Sequence, residues 1–255
     1  MKQLMTLTRL NLLMVARNPQ AVGFGVAFPL IMMLFWGYIG RHGQAQATFG
    51  GEGTVAYTGF LMVGLMVTTI VASGIPAYGF VTAQWREAGI LRRVRCTPLP
   101  VWRLLLARML VQIAITAAGA AGLVAVAVGL FGVRLTPATA PFGTLVALLA
   151  IVLFTGIGQL IASVARRAET ALAIGNLVYL PLLLLGGLFI KIEAFPPALQ
   201  RVVQWSPVAV VGDLLRPALL QGSFGPHPLR TTALLLGYLA VVLGLAARFF
   251  DWDEA

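Results

Sequence analysis

Apolar residues run along this chain in blocks too long and too uniform for soluble amphipathic helices or alternating strands. Predominantly apolar stretches, almost free of charge, cover roughly 21–40, 55–81, 104–131, 142–165, 170–190 and 230–249. A hydrocarbon core about 30 Å thick is crossed by about 20 helical residues. The pattern therefore predicts six transmembrane helices in an all-α polytopic membrane protein, one transmembrane domain over residues 1–255. The second and fourth runs exceed the minimum, which predicts tilt or extension beyond the core. The fourth and fifth are separated only by "RRAE" at 166–169, which predicts a tight helical hairpin. The first follows Lys2, Arg9 and Arg17 and ends in "FWGYIGRH" without a small-residue cleavage site, so it reads as a retained helix.

Two segments flank these spans with a different pattern. Residues 2–18 place Leu4, Leu7, Leu10 and Met14 at helical spacing, with Lys2, Thr6, Arg9 and Arg17 mostly opposite. That suits an amphipathic helix lying in the membrane interface, the alternative being a plain extension of the first span. Residues 191–229 hold six of the fourteen prolines, and their apolar pieces, such as "VVQW" and "PVAVVGDLL", are too short to cross. Non-helical backbone at membrane depth needs protein or water cover. Short re-entrant or interfacial helices, packed on the outer side before the last span, are expected there.

Composition agrees. The chain is 59% hydrophobic and 10% charged, with a mean hydropathy of +0.92, whereas soluble domains carry about 25% charged residues. The net charge of +10 lies beside apolar spans, as in cytoplasmic loops facing an anionic leaflet, and no nucleic-acid-binding motif accompanies it. With both termini in the cytoplasm, twelve basic residues fall inside: Lys2, Arg9, Arg17, Arg86, Arg92, Arg93, Arg95, Arg103, Arg108, Arg166, Arg167 and Arg248. Six fall outside: Arg41, Arg134, Lys191, Arg201, Arg216 and Arg230. The positive-inside rule selects this orientation. Abundant Ala, Gly and Arg point to a GC-rich bacterium, hence to the cytoplasmic (inner) membrane. Cys96 is the lone cysteine, so neither an intrachain disulfide nor a cysteine zinc cluster can form.

Several chemistries are missing. Neither Lys2 nor Lys191 sits in a phosphate-binding Gly-x4-Gly-Lys loop, so the chain carries no ATP site of that kind and is not read as an enzyme. His42 and His227 lack metal-ligand spacing. "VASGIP" at 71–76 lacks the features of an intramembrane serine protease. The span interiors are expected to be free of Asp, Glu, Lys and Arg, whereas ion-coupled carriers usually hold ionisable residues there. Energy for transport would then come from outside the chain.

The interruption at 84–100, "QWREAGILRRVRCTPLP", breaks this pattern most sharply. A helix from near Thr82 to about Val94 would carry Arg86 and Glu87 at its start, with Arg92, Arg93 and Arg95 at its C-terminal end, where cations suit the helix dipole. Thr97 and Pro98 would stop it, and a new helix would begin near Val101. A basic loop that only sets topology is one reading; a docking device for a partner is the other.

These residues resemble the integral-membrane subunits of ABC-2-type exporters. Arg86, Glu87, Gly89, Leu91, Thr97, Pro98 and Arg108 match that family's first cytoplasmic loop; Ile90 stands where threonine is common and Arg108 where lysine is. "LLLLGGLFIKIEAFPPALQRVVQWSPVAVVGDLLRPAL" is similar to its fifth-span and outer-loop pattern, Pro207 to Arg216 keeping the usual spacing, with Val208 and Val210 replacing larger or polar residues. The resemblance covers essentially the whole chain. It implies a permease half that pairs with a second copy or a similar subunit and binds a cytoplasmic ATPase, which holds ATP and Mg; the chain itself holds no cofactor. It further implies a coupling role for Arg86, Glu87, Gly89, Leu91, Arg92, Arg93, Arg95, Thr97 and Pro98, and a second cytoplasmic contact at Arg166, Arg167 and Glu169. Phe24, Phe28, Phe35, Tyr57, Met62 and Met66 are candidate pathway residues for an amphipathic, drug-like or lipid-linked cargo, although such side chains more often face lipid or pack helices. Ala118 and Gly122, like Ala121 and Ala125, have the small-residue spacing of helix packing. A stand-alone secondary carrier or channel is the alternative, and a membrane enzyme or assembly factor a third reading.

Overall fold

Pro76 shapes the longest continuous helix among the described residues. A proline inside a helix has no N–H to donate and crowds the preceding turn. In the computed structural model, which describes residues 27–42, 54–90, 101–165, 167–187 and 196–249, the chain absorbs it in one π-helical turn. Helix α2 (Thr54–Ala72) passes through that turn (Ser73–Ala77) directly into α3 (Tyr78–Glu87). The expectation of a separate helix starting near Thr82 is therefore corrected. Thr82 is interior and buried, its hydroxyl donating to the Tyr78 carbonyl at 2.8 Å. Arg86 and Glu87 close a helix that begins inside the membrane-spanning stretch. The stop is Gly89, whose φ of +68° lies in the left-handed region that side-chain-bearing residues avoid.

Before α2 comes α1 (Phe28–His42). After α3 follow α4 (Val101–Phe131), α5 (Ala140–Val164) and α6 (Ala168–Leu185). Two short helices, α7 (Pro197–Val203) and α8 (Pro207–Arg216), each begin on a proline, which is preorganised for a first turn. A π-helical turn (Pro217–Gln221) and α9 (Pro228–Phe249) complete the order. Every regular element among the described residues is helical. Tyr57–Glu87, Leu104–Phe131, Ala140–Val164 and Pro228–Ala246 are long and apolar enough to cross a membrane; Phe28–Ile39 and Ala168–Leu184 are shorter apolar helices. The expected interfacial helix at 2–18 and the end of the basic loop, 91–100, lie outside the described residues.

The α2–α3 helix is the hub of the bundle. Met62, Val63, Met66, Val67, Ile70, Val71 and Ile75 are buried, with α1, α4, α5 and α8 packed around α2, and α5 and α6 against the π turn and α3. Close approach there is a matter of glycines. A Cβ on Gly74 would lie 2.7 Å from the Phe154 backbone, and one on Gly175 would lie 2.8 Å from Pro76 Cα. A Cβ on Gly158 would run into the Gly74 carbonyl oxygen. Helix α8, too short to span, buries Val208, Val210, Val211, Leu214 and Leu215 against α2, α5 and α9.

Candidate functional site

The α5–α6 hairpin leaves two sets of unsatisfied backbone groups side by side: the last carbonyls of α5 and the first amides of α6. Two adjacent residues at the end of α3 meet both. The Arg86 guanidinium donates through Nη1 to the Ser163 carbonyl at 2.9 Å. The Glu87 carboxylate accepts the Ala168 N–H at 3.0 Å. Each charge has the sign its helix terminus favours, a cation at the carbonyl end and an anion at the amide end. Arg167, in extended conformation at φ −129° and ψ 151°, turns the chain between the two helices, and Glu169 adds an acid to the first turn of α6.

The basic loop and the α5–α6 connection, two separate predictions from the chain pattern, thus meet at one end of the bundle. Arg86, half-buried, and Glu87, exposed, each spend a contact on the protein itself. Arg167 and Glu169 are exposed beside them. Leu91, Arg92, Arg93, Arg95, Thr97, Pro98 and Arg166 lie outside the described residues.

Charge-free span interiors were expected, and Arg108 overturns this. It sits in the second turn of α4, 7% exposed, where it was expected merely to head the span. Its guanidinium lies 4.7 Å from the Tyr78 ring centroid and 4.5 Å from that of Trp85. Nη2 makes one long hydrogen bond, 3.4 Å, to the Tyr78 carbonyl. Nη1 is buried without a partner.

A polar seam continues along α4 at the π turn. Gln112 Nε2 donates to the Ser73 carbonyl at 3.3 Å and to the Thr116 hydroxyl at 3.2 Å, and the Thr116 and Ser73 hydroxyls are 3.0 Å apart. Neighbouring polar side chains are how membrane helices re-satisfy backbone disturbed by proline. Gln159 on α5 buries both its amide atoms without a hydrogen-bond partner. Chain pattern alone missed this seam, although Pro76, Gln112 and Gln159 inside apolar runs were signals for it.

At the other end of the bundle, Arg216 of the Pro207–Arg216 motif donates to the Gly187 carbonyl at 2.6 Å and lies 4.3 Å from the Phe60 ring centroid. Helix α6 is thus held by side chains from other elements at both ends. The candidate pathway residues are not gathered on one surface. Phe28 and Phe35 are 51% and 54% exposed on α1, Met62 and Met66 are buried in the core, Tyr57 is half-buried, and Phe24 lies outside the described residues. On α4, Ala118, Ala121 and Ala125 are exposed, whereas Gly122 faces Leu30 of α1.

Comparison with known proteins places this arrangement. The profile of the ABC-2 type transporter family matches residues 2–220. Nodulation protein J of Neorhizobium galegae is 28% identical over 202 residues, which cover 77% of this chain and 72% of that protein. The putative transport permease YvfS of Bacillus subtilis (strain 168) is 31% identical over 157 residues, 60% of this chain and 62% of that protein. With nearly its whole length matched, this apolar helical chain belongs to the ABC-2 type transporter family.

Proposed function

We propose that two copies of this chain, or one copy and a similar subunit, form the membrane path of an ATP-driven exporter in a bacterial inner membrane. Family membership makes the chain a transmembrane subunit of an ABC transporter that works with an ABC ATPase subunit. In the proposed arrangement that ATPase binds ATP and Mg, docks on the basic end of the bundle through residues 84–100, and faces the cytoplasm, as do both termini. Arg166, Arg167 and Glu169 provide the second contact. The exposed Ala118, Ala121 and Ala125 of α4 give a surface on which a second copy could pack closely. The cargo is amphipathic, drug-like or lipid-linked.

The observation that carries the reading is the double contact of Arg86 and Glu87 with Ser163 and Ala168. The start of the basic segment, residues 84–87, is continuous with the central helix and is pinned to the α5–α6 hairpin. A push on it therefore moves α3, α5 and α6 together, a rigid-body transfer of the kind that drives switching between states. Arg86 and Glu87 then transmit the motion, and the ATPase surface falls to the residues after Gly89.

The test is affinity purification of the tagged chain from its native membrane. An ABC ATPase is expected to come with it, and replacing Arg92, Arg93 and Arg95 together by Gln is expected to release that subunit. Glu87→Ala is expected to retain the ATPase while weakening coupling between ATP hydrolysis and transport. A chain recovered alone and intact under mild detergent, with transport driven by an ion gradient, would instead favour the stand-alone carrier or channel.

A further inference from the structure

We propose that Arg108 anchors an anion site that takes the phosphate of a lipid-like amphiphile at the basic end of the bundle. A guanidinium removed from water requires an opposing charge or a full set of hydrogen bonds, and Arg108, 7% exposed, has one long bond to the Tyr78 carbonyl and a buried, unpartnered Nη1. The rings of Tyr78 and Trp85 offset part of the cost through their π faces, but they supply no charge.

Nor do the described carboxylates. Glu87 is engaged with the Ala168 amide, Glu169 is exposed in the first turn of α6, and Asp213 lies on α8, whose last residue, Arg216, reaches Gly187 at the other end of the bundle. The missing partner is an anion from outside this set.

Its chemistry follows from the donor and the depth. A guanidinium edge is a planar fork that fits phosphate oxygens in pairs. Arg108 lies seven residues beyond Val101, the start of α4, about 10 Å along the axis at a rise of about 1.5 Å per residue. The headgroup layer is about 5–8 Å thick on each side of a bilayer, so a site about 10 Å into α4 belongs to the boundary where headgroup phosphates meet the acyl chains. Tyr and Trp are the side chains that favour this layer. Tyr78 is the fully buried wall; Trp85 is half-buried, in the last turn of α3. Of the two rings against the guanidinium, Trp85 is the half-buried one, so an anion is expected to approach from its side. Anion binding at Arg108 needs no docked ATPase and can be measured on the chain alone.

The experiment uses the full chain in a maltoside detergent, stripped of lipid and titrated with phosphatidylglycerol, with native mass spectrometry counting the bound molecules. Diacylglycerol with the same acyl chains is the phosphate-free control. Wild type is expected to hold phosphatidylglycerol in preference to diacylglycerol, and Arg108→Gln to weaken that binding by about tenfold. Millimolar inorganic phosphate distinguishes the source: displacement of the lipid means that the site reads phosphate itself, and lack of displacement that it needs the phosphate on its acyl chains. Equal phosphatidylglycerol binding by wild type and Arg108→Gln would overturn the proposal, as would diacylglycerol binding as tightly as phosphatidylglycerol. If Arg108→Gln does not fold, Arg108→Lys decides. It keeps a point charge without the fork, and its affinity is expected to fall about threefold; unchanged affinity would refute the paired contact of the guanidinium with phosphate oxygens.

Discussion

Glu87 offers the sharpest check, because its partner is a backbone amide that can be removed without touching Glu87. Its carboxylate accepts the Ala168 N–H at 3.0 Å, at the first position of α6, from an exposed location. A side-chain cap of this kind contributes about 1 kcal/mol, and the favourable end of the helix dipole is included in what is lost when the carboxylate goes. Glu87→Ala should therefore lower the melting temperature in detergent by about 2–4 °C, the shift expected for about 1 kcal/mol in a chain of this size. Ala168→Pro removes the N–H at a position where proline is tolerated. The residue before it, Arg167, already has the extended φ of −129° and ψ of 151° that a following proline demands. In the Ala168→Pro background Glu87→Ala should cost almost nothing, the difference between the two backgrounds being the coupling energy. Equal losses in both would refute the cap and, with it, Glu87's share in pinning the central helix to the α5–α6 hairpin.

Other consequences can be read in the same melting assay. Gly158→Ala puts a Cβ into the Gly74 carbonyl and should destabilise by about 1–3 kcal/mol, the usual cost of overpacking. Gly129→Ala, with open space around the added methyl, should stabilise by about 0.5–1 kcal/mol through helix propensity alone. Gln112→Leu removes the donor to Ser73 and Thr116 and should cost about 0.6–1.7 kcal/mol, as membrane hydrogen bonds do. Arg216→Met loses the 2.6 Å bond to Gly187 and the Phe60 contact; a loss of about 1.5–3 kcal/mol is expected, and an unchanged melt would show that α6 needs no brace at that end.

The apolar runs by themselves determine that this is a helical membrane protein, because hydrocarbon leaves backbone polar groups no partner outside a helix or a closed barrel. The chain pattern also located the basic interruption at 84–100 and the polar hinge at 166–169, since both are charge breaks in an uncharged background. Local chemistry could not tell that these two breaks meet. Arg86 is 77 residues from Ser163 and Glu87 is 81 from Ala168, and nothing in either segment names the other.

The start of the basic-loop helix was misread for a related reason. Thr82 has the form of a helix-starting residue, but Pro76 is accommodated by a π turn, so the helix never stops before it. Arg108 reads in the sequence as a residue heading a span, because long basic side chains usually snorkel to water. Tyr78 and Trp85 hold it inward instead. Hydropathy and charge act along the chain, so they can be read from it. Which helix terminus a charge caps, and which cation is left buried without a counter-ion, depends on distances between segments, and only the packed bundle sets those.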